Sequence, residues 1–473
     1  MGLVSLAYFA RTYHEAPLFS GPDGLLDHTL LRRLLPFTRL SLFPPGAPLP
    51  LLRALFIAGC GAALLLTLGI GSQLAALFLY GLAVSTYRWN FLVMYVDDGI
   101  MHLALFWMMA LPIGYTLTLP GLLGMEAATN WAAWQTQMVS GVAVRCFLLN
   151  LALVYGVAGL WKWASPMWRA GSALEAVLKL PVSHAPTFWG RPHRQWLRLS
   201  TYFALVLEPA LVLIVMLPTH HPLKWALLAG LVGFHGGIIT TMQIPFANLI
   251  MLGASVVIFR DELMQALGAP ELAPATLPLT VGDGVALSVV ACLALLFVSN
   301  AIFFRNGYAS PLWQKSMGYK PRLNPLYAPL WLIGLVQSYR LFDWIDELNY
   351  HVGYEVLEIS PDCAPRPVDS TTLFPHTIRH VLLQTYLQGN LWMKVAPDAL
   401  PTLRATILTR YARRYCRAHP TEQTTLEAYA IVQRITTDNL DLQCGARRLL
   451  LRFTNQHGTA VVTEMCLTPP VYH

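Results

Sequence analysis

The sequence predicts an all-α polytopic membrane helix bundle, residues 1–342, followed by a small α+β C-terminal soluble region, residues 343–473. Three observations predict it. Apolar residues make up 55% of the 473-residue chain and charged residues only 12%, against about 25% charged in soluble domains. Mean hydropathy is +0.49. Apolar runs recur at lengths near the ~20 residues that cross a bilayer, which gives about 8–9 spans.

The opening run, Gly2 to Ala10, is too short to span, so it reads either as an interfacial start or, by preference, as part of a longer first helix in which Met1 lies. A turn-rich stretch and a basic patch with Arg32, Arg33 and Arg39 follow, closed by Pro44, Pro45, Pro48 and Pro50, through which helix does not readily run. Leu51–Ile70 reads as a span, and Gly71-Ser72-Gln73 turns the chain into a second from Leu74 to about Tyr87. The next helix is placed at Gly99–Leu119. After a connection free of Lys and Arg, Val142–Gly171 supplies a span that ends in Trp161-Lys162-Trp163. Leu199–Leu217, Trp225–Met242, Ile244–Phe259 and Gly284–Phe304 are further spans, and Leu326–Leu341 is read as interfacial or re-entrant. Beyond Asp343, Leu373–Leu387, Leu400–His419 and Thr424–Arg434 have helical periodicity, whereas Leu449–Phe453 and Thr459–Leu467 have strand character.

The loops at 11–50, 88–98, 164–198 and 305–322 hold nearly all the Lys and Arg of the membrane part. The positive-inside rule makes that face cytoplasmic, and Lys162 and the tail share it. The net charge of +7 is spread between spans, so it reads as contact with membrane lipid headgroups, not as a nucleic-acid footprint. The seven cysteines contain no CxxC pair; a tail disulfide stays open, no metal site is expected, and no cleaved signal peptide is indicated. No Gly-rich phosphate loop, HExxH pair or GxSxG elbow occurs, so neither a nucleotide nor a hydrolase site is suggested.

Ionisable groups at membrane depth are costly and mark candidate sites. Lys162 reads either as a snorkelling anchor in an aromatic belt or as a partly desolvated base. Asp97 and Asp98 begin a helix whose dipole stabilises carboxylates, and Asp98 lies one turn from His102, which it could orient. His235 sits mid-span beside Gly236 and Gly237, as a helix-to-helix hydrogen bond or as a reactive imidazole. Glu208 precedes Pro209 and could accept bonds freed by the proline break.

The spacing Tyr155, Ala158, Gly159, Lys162, then Trp168 and Gly171 resembles the lysine signature of the vitamin K-dependent gamma-carboxylase-like family. That family carries the horizontally transferred transmembrane (HTTM) module. Tyr87 to Asn90 through Asp97, Asp98 and His102 to Trp107 resembles its third and fourth helices. His235 to Leu252 resembles its histidine-containing helix. The likeness spans about residues 1–345. It implies an integral, multi-pass inner or plasma membrane enzyme of bacterial type, in which Lys162 deprotonates a reduced vitamin K-type quinone such as menaquinol. Oxygenation then yields a strong base that removes the gamma proton of a protein or peptide glutamate before carbon dioxide is captured. His235 would assist at the quinone, in a site dry enough to shield the carbanion.

The chain departs from the family pattern at Gly99, where the carboxylases carry a histidine, with His102 as the nearest substitute. The short tail replaces their large substrate-holding domain. The resemblance would also put the lysine face outside the cytoplasm, opposite to the charge distribution. A non-catalytic membrane scaffold that keeps the HTTM module is the alternative, and a transporter is disfavoured because no inverted repeat is visible.

Overall fold

The computed structural model describes residues 1–20, 24–111, 118–123, 141–266, 281–302, 327–335, 350–385, 399–435 and 446–467, with isolated positions between them. The chain is mostly helical; among the described residues four helices are long and apolar enough to cross a membrane, and an antiparallel sheet lies at the C-terminal end. Those four are Leu49–Leu68, Val142–Ala164, Arg191–Ile214 and Pro222–Thr241, and Pro245–Ile258 and Val281–Phe297 are shorter apolar helices.

Helix α1 (Gly2–Phe19) continues well past Ala10. Its polar second half holds together locally: Thr12 bonds the Tyr8 carbonyl and Arg11 pairs with Glu15 one turn on. Asp27 caps α2 (His28–Leu34) by accepting from the Leu30 N–H. Helix α3 (Leu49–Leu68) stops at Gly69, whose φ of 74° is the left-handed cap that glycine takes without steric cost. Helix α4 (Ser72–Trp89) then turns back antiparallel. Helix α5 (Val96–Ala110) starts earlier and ends sooner than Gly99–Leu119, because Tyr95 and Asp98 form a capping box that fixes its first turn.

Helix α6 (Val142–Ala164) packs against both α7 (Arg194–Ile214) and α10 (Val281–Ile302). Of its most apolar window 56% is buried, against 22% for α8 (Pro222–Thr241), which puts α6 inside the bundle and α8 at its edge. Between α8 and α9 (Pro245–Ile258) the helical ladder breaks at Pro245. The freed backbone is satisfied by the segment before α7: Ser183 pairs with Met242, and the Gln243 N–H donates to the Val182 carbonyl at 2.8 Å. Of the Leu326–Leu341 run, Tyr327–Ile333 is helical, Gly334 and Leu335 follow it without helix, and 326 and 336–341 lie outside the described residues. The basic residues Arg305, Lys315, Lys320 and Arg322 lie outside them as well.

The tail forms a five-stranded antiparallel sheet in the order β2-β1-β3-β4-β5, from Cys363–Val368, Tyr350–Ser360, Gln423–Arg434, Ala446–Gln456 and Thr459–Met465. This corrects the helical reading of Thr424–Arg434. Leu426, Ala428, Ala430 and Val432 are buried at every second position, the period of a strand, and two neighbouring strands pair along its whole length. Helices α11 (Ile378–Thr385) and α12 (Leu400–Ala418) complete the tail, with α12 packed on β4 and β5. Among the described residues the cysteines form no disulfide.

Two hydrophobic cores result. One fills the helix bundle; the other joins the sheet and α12 to Leu25, Leu26, Leu31 and Leu35 and to Phe91, Leu92 and Val93 of the bundle half. The tail therefore shares its core with the segments that precede α3 and α5. It is docked by ion pairs as well. Arg410 bonds Asp27, and Arg191 and Arg194 both reach Asp441. Buried Lys179 bonds Glu175 and the Leu440 carbonyl. Burial alone would raise the Glu175 carboxyl, but the bonds from Arg194 and Lys179 outweigh it and hold it below 4.5.

Candidate functional site

Glycine and proline decide how closely α6 and α7 approach. A Cβ on Gly159 would meet Pro209 Cδ at 2.8 Å and Pro209 N at 3.0 Å, so only glycine allows this contact. The proline removes the N–H that would have bonded the carbonyl four residues back, that of Leu205. Trp163 fills the vacancy, its indole N–H donating to Leu205 O at 2.9 Å. What the break leaves is an acceptor, so the Glu208 carboxylate, itself an acceptor, does not repair it as its position suggested.

Glu208 instead takes Lys162. The ammonium donates to both carboxylate oxygens, and the two side chains are 2% and 3% exposed. Lys162 is thus not a snorkelling anchor; it points into the bundle, with its Nζ 5.1 Å from the centre of the Trp168 ring. Trp163 is the neighbour that faces outward, 49% exposed. A pair this dry relies on its own geometry, because the low dielectric that strengthens the attraction also penalises each charge alone.

His235, on α8, is held from both sides. The Asn248 amide donates through Nδ2 to the Ile244 carbonyl, which turns its Oδ1 towards His235 Nδ1 at 2.7 Å. In the neutral ring Nδ1 therefore carries the proton, and Nε2 accepts from the Tyr155 hydroxyl at 2.8 Å. Tyr155 lies on α6 two turns before Lys162, which brings both groups to the same helix face.

Lys162, Glu208, Tyr155, His235 and Asn248 line one cavity of about 60 Å³, walled by apolar side chains including Val96, Ile100, Phe234 and Met251. Lys162 and His235, distant in sequence, are therefore neighbours in space. Tyr155 and Asn248 were not singled out as site residues by sequence reasoning. For Tyr155 the signal was present, since it opens the spacing that ends in Lys162. For Asn248, an amide in the first turn of an apolar helix was the only clue.

Asp97 borders this cavity through the backbone: its Oδ1 accepts from the N–H of Ala247, a cavity residue, at 2.8 Å. Its Oδ2 accepts from the Tyr95 hydroxyl at 2.8 Å. Asp98 faces the other way. It accepts from Tyr8 at 2.6 Å and from Arg379 of the tail at 3.0 Å, and caps the Tyr95 N–H. It therefore does not orient His102. That imidazole is fully buried, edge-on to the Tyr87 ring at 4.9 Å, and is not among the residues lining the cavity.

Arg379 was missed by sequence reasoning. The clue was a polar pair, Arg379-His380, at the start of an otherwise mostly apolar short helix. Its guanidinium is 3% exposed and also reaches Glu15 at 2.6 Å. Burial alone would lower it, but Asp98 and Glu15 outweigh that and keep it charged well above the usual range.

No protein-family model, no curated protein and no solved structure matches this chain, so its residues and their geometry carry the reading of the site.

Proposed function

We propose that the chain is a multi-pass membrane enzyme of about 8–9 spans that binds a reduced naphthoquinone from the bilayer and deprotonates it in the Lys162–His235 cavity. The observation that carries this reading is the convergence of Lys162 and His235, with their partners Glu208 and Tyr155, on one apolar cavity. The quinol would supply the redox chemistry, and the protein would supply proton acceptors in a water-poor site. Lys162 acts as a base once its proton rests on Glu208, because in an apolar surrounding the neutral amine–acid pair becomes competitive with the ion pair. A hydroxyl proton then passes to the amine, while the Tyr155 hydroxyl, already donating to His235 Nε2, offers a second route onto the imidazole. Of the site residues read from sequence, His102, Asp97 and Asp98 would act on the frame rather than on the ligand.

The cavity, at about 60 Å³, is far smaller than the ~300–1,000 Å³ of pockets that enclose drug-sized ligands. Admission of a bicyclic ring therefore requires an outward shift of a wall. Helix α8, at the edge of the bundle and contributing Phe234 and Ile238 to the cavity, is the wall proposed to make that shift.

A second reading, a non-catalytic scaffold, is favoured by the same ion pair, since an amine engaged by both oxygens of a carboxylate has a sufficient structural role. Mass spectrometry of the detergent-purified protein separates the two. The enzyme reading expects co-purified menaquinone-type lipid, lost in Lys162→Ala together with quinol oxidation. A folded protein that carries no quinone, or a Lys162→Ala variant that oxidises quinol normally, would refute it. Carboxylation of a glutamyl peptide in the presence of naphthohydroquinone and bicarbonate tests the substrate.

A further inference from the structure

Around the start of α5 lies a buried cluster that the proposed chemistry does not use. Glu15, Asp97 and Asp98 supply three carboxylates, and Arg11 and Arg379 are the cations bonded into the cluster. Arg11 reaches Glu15 at 3.1 Å and the Tyr95 hydroxyl at 3.0 Å. Of the two cations it is Arg379 that reaches Asp98, and it ties Asp98 to Glu15 with separate nitrogens while Nη1 donates to the Val93 carbonyl at 3.3 Å. The first turn of α5, through Asp98, and the segment leading into it, through Val93, are thereby held by a residue of the tail.

The consequence runs towards the cavity. Asp98 caps Tyr95, and Tyr95 donates to Asp97. Asp97 holds the Ala247 N–H at the start of α9, and the next residue, Asn248, fixes the ring of His235. Each link is a hydrogen bond of 3.0 Å or less between groups that are buried or partly buried.

We infer that Arg379 is a positioning residue for the membrane cavity: by clamping Asp98 to Glu15 it holds the α5 and α9 N-termini in the register that places Asn248 and His235, whatever ligand the cavity takes. Removing it leaves three carboxylates facing one arginine, and a buried carboxylate without its partner does not keep its place.

The test uses the full chain in detergent with Met251→Cys, a reporter on the cavity wall, and follows N-ethylmaleimide modification of the introduced thiol by peptide mass spectrometry. Arg379→Met is expected to raise the modification rate at least tenfold. Arg379→Lys keeps the charge but cannot span both carboxylates, and it is expected to raise the rate severalfold in a protein that still folds. Arg410→Ala, which cuts the separate Asp27 dock of the tail, is expected to leave the rate unchanged. Wild-type rates in both Arg379 variants would overturn the inference, as would equal increases in Arg410→Ala and the Arg379 variants, which would mean that tail docking in general closes the cavity. The readout needs no quinone. A chain that binds no naphthoquinone yet shows the Arg379 effect removes the proposed chemistry and keeps the positioning role; menadione affinity measured in the same variants separates the reverse case.

Discussion

Trp163 donates its indole N–H to the carbonyl of Leu205, the acceptor that Pro209 strips of its in-helix partner. A break in one helix is thus repaired by the side chain of another, with a donor that the neighbouring Glu208 carboxylate does not have. The repair is worth about 0.5–1.5 kcal/mol, the net value of one such bond. Trp163→Phe is expected to lose that much in thermal unfolding, and to lose much less in a Pro209→Ala background, where the alanine N–H restores the helical donor. Equal losses in both backgrounds would show that the indole acts through packing alone.

The Lys162–Glu208 pair should behave as one unit. Replacing either partner alone leaves a buried charge uncompensated and is expected to cost about 3–5 kcal/mol, whereas Lys162→Met combined with Glu208→Met is expected to be close to neutral. Unfolding midpoints of the three variants in one detergent measure this. Additive losses would place the two groups in separate environments.

Gly159→Ala tests the helix contact that makes the pair. Its new methyl meets Pro209 Cδ at 2.8 Å, and an overpacked core position typically costs about 1–3 kcal/mol. Gly156→Ala, one turn earlier, meets only one side-chain methyl of Val212 at 3.2 Å and is expected to cost less. The order of the two unfolding midpoints is the measurement.

Acid should loosen the seam between tail and bundle. Burial lowers His28 to about 4 from 6.5, against the bond its Nε2 donates to Asn90 Oδ1, and lowers His380 to about 3, with Arg414 adding to the effect. Both rings are neutral when folded, and both bind a proton when unfolded below pH 6.5. The unfolded chain therefore holds more protons across the window from about pH 6.5 down to 4, and stability falls as pH falls through it, by up to about 1.4 kcal/mol per unit for each ring. The unfolding midpoint at pH 5 should lie below that at pH 7, with a smaller drop in His28→Gln. A flat profile would show that the rings are solvated.

The long apolar spans were legible because length and hydropathy suffice for them: Val142–Ala164 falls where the sequence places it. Gln423–Arg434 was not. Alanine at 428 and 430 favours helix locally, and only pairing with the strands at 350–360 and 446–456 makes its alternation decisive. Tyr350–Ser360 carries the same alternation, with Val352 and Val356 buried, hidden among charged neighbours. Within the site, Lys162 and His235 stood out as polar groups in apolar runs. Their partners could not be read, because a bond between α6 and α7 or α8 leaves no mark in either stretch alone. Glu208 shows this most clearly: the adjacent proline suggested a backbone role, and a tryptophan on another helix holds that role instead.

The Asp98–Arg379 bond also has an order in time. The two residues are 281 positions apart, so at about 5–20 residues per second the carboxylate exists for roughly 15–55 s before its guanidinium is synthesised. The helices are made first, and they remain unfinished until the last quarter of the chain returns to them. A chain truncated before Arg379 should therefore accumulate poorly, and Asp98→Asn should raise its level. Equal abundance of the truncated chain with and without that change would show that the nascent helices do not depend on the late arginine.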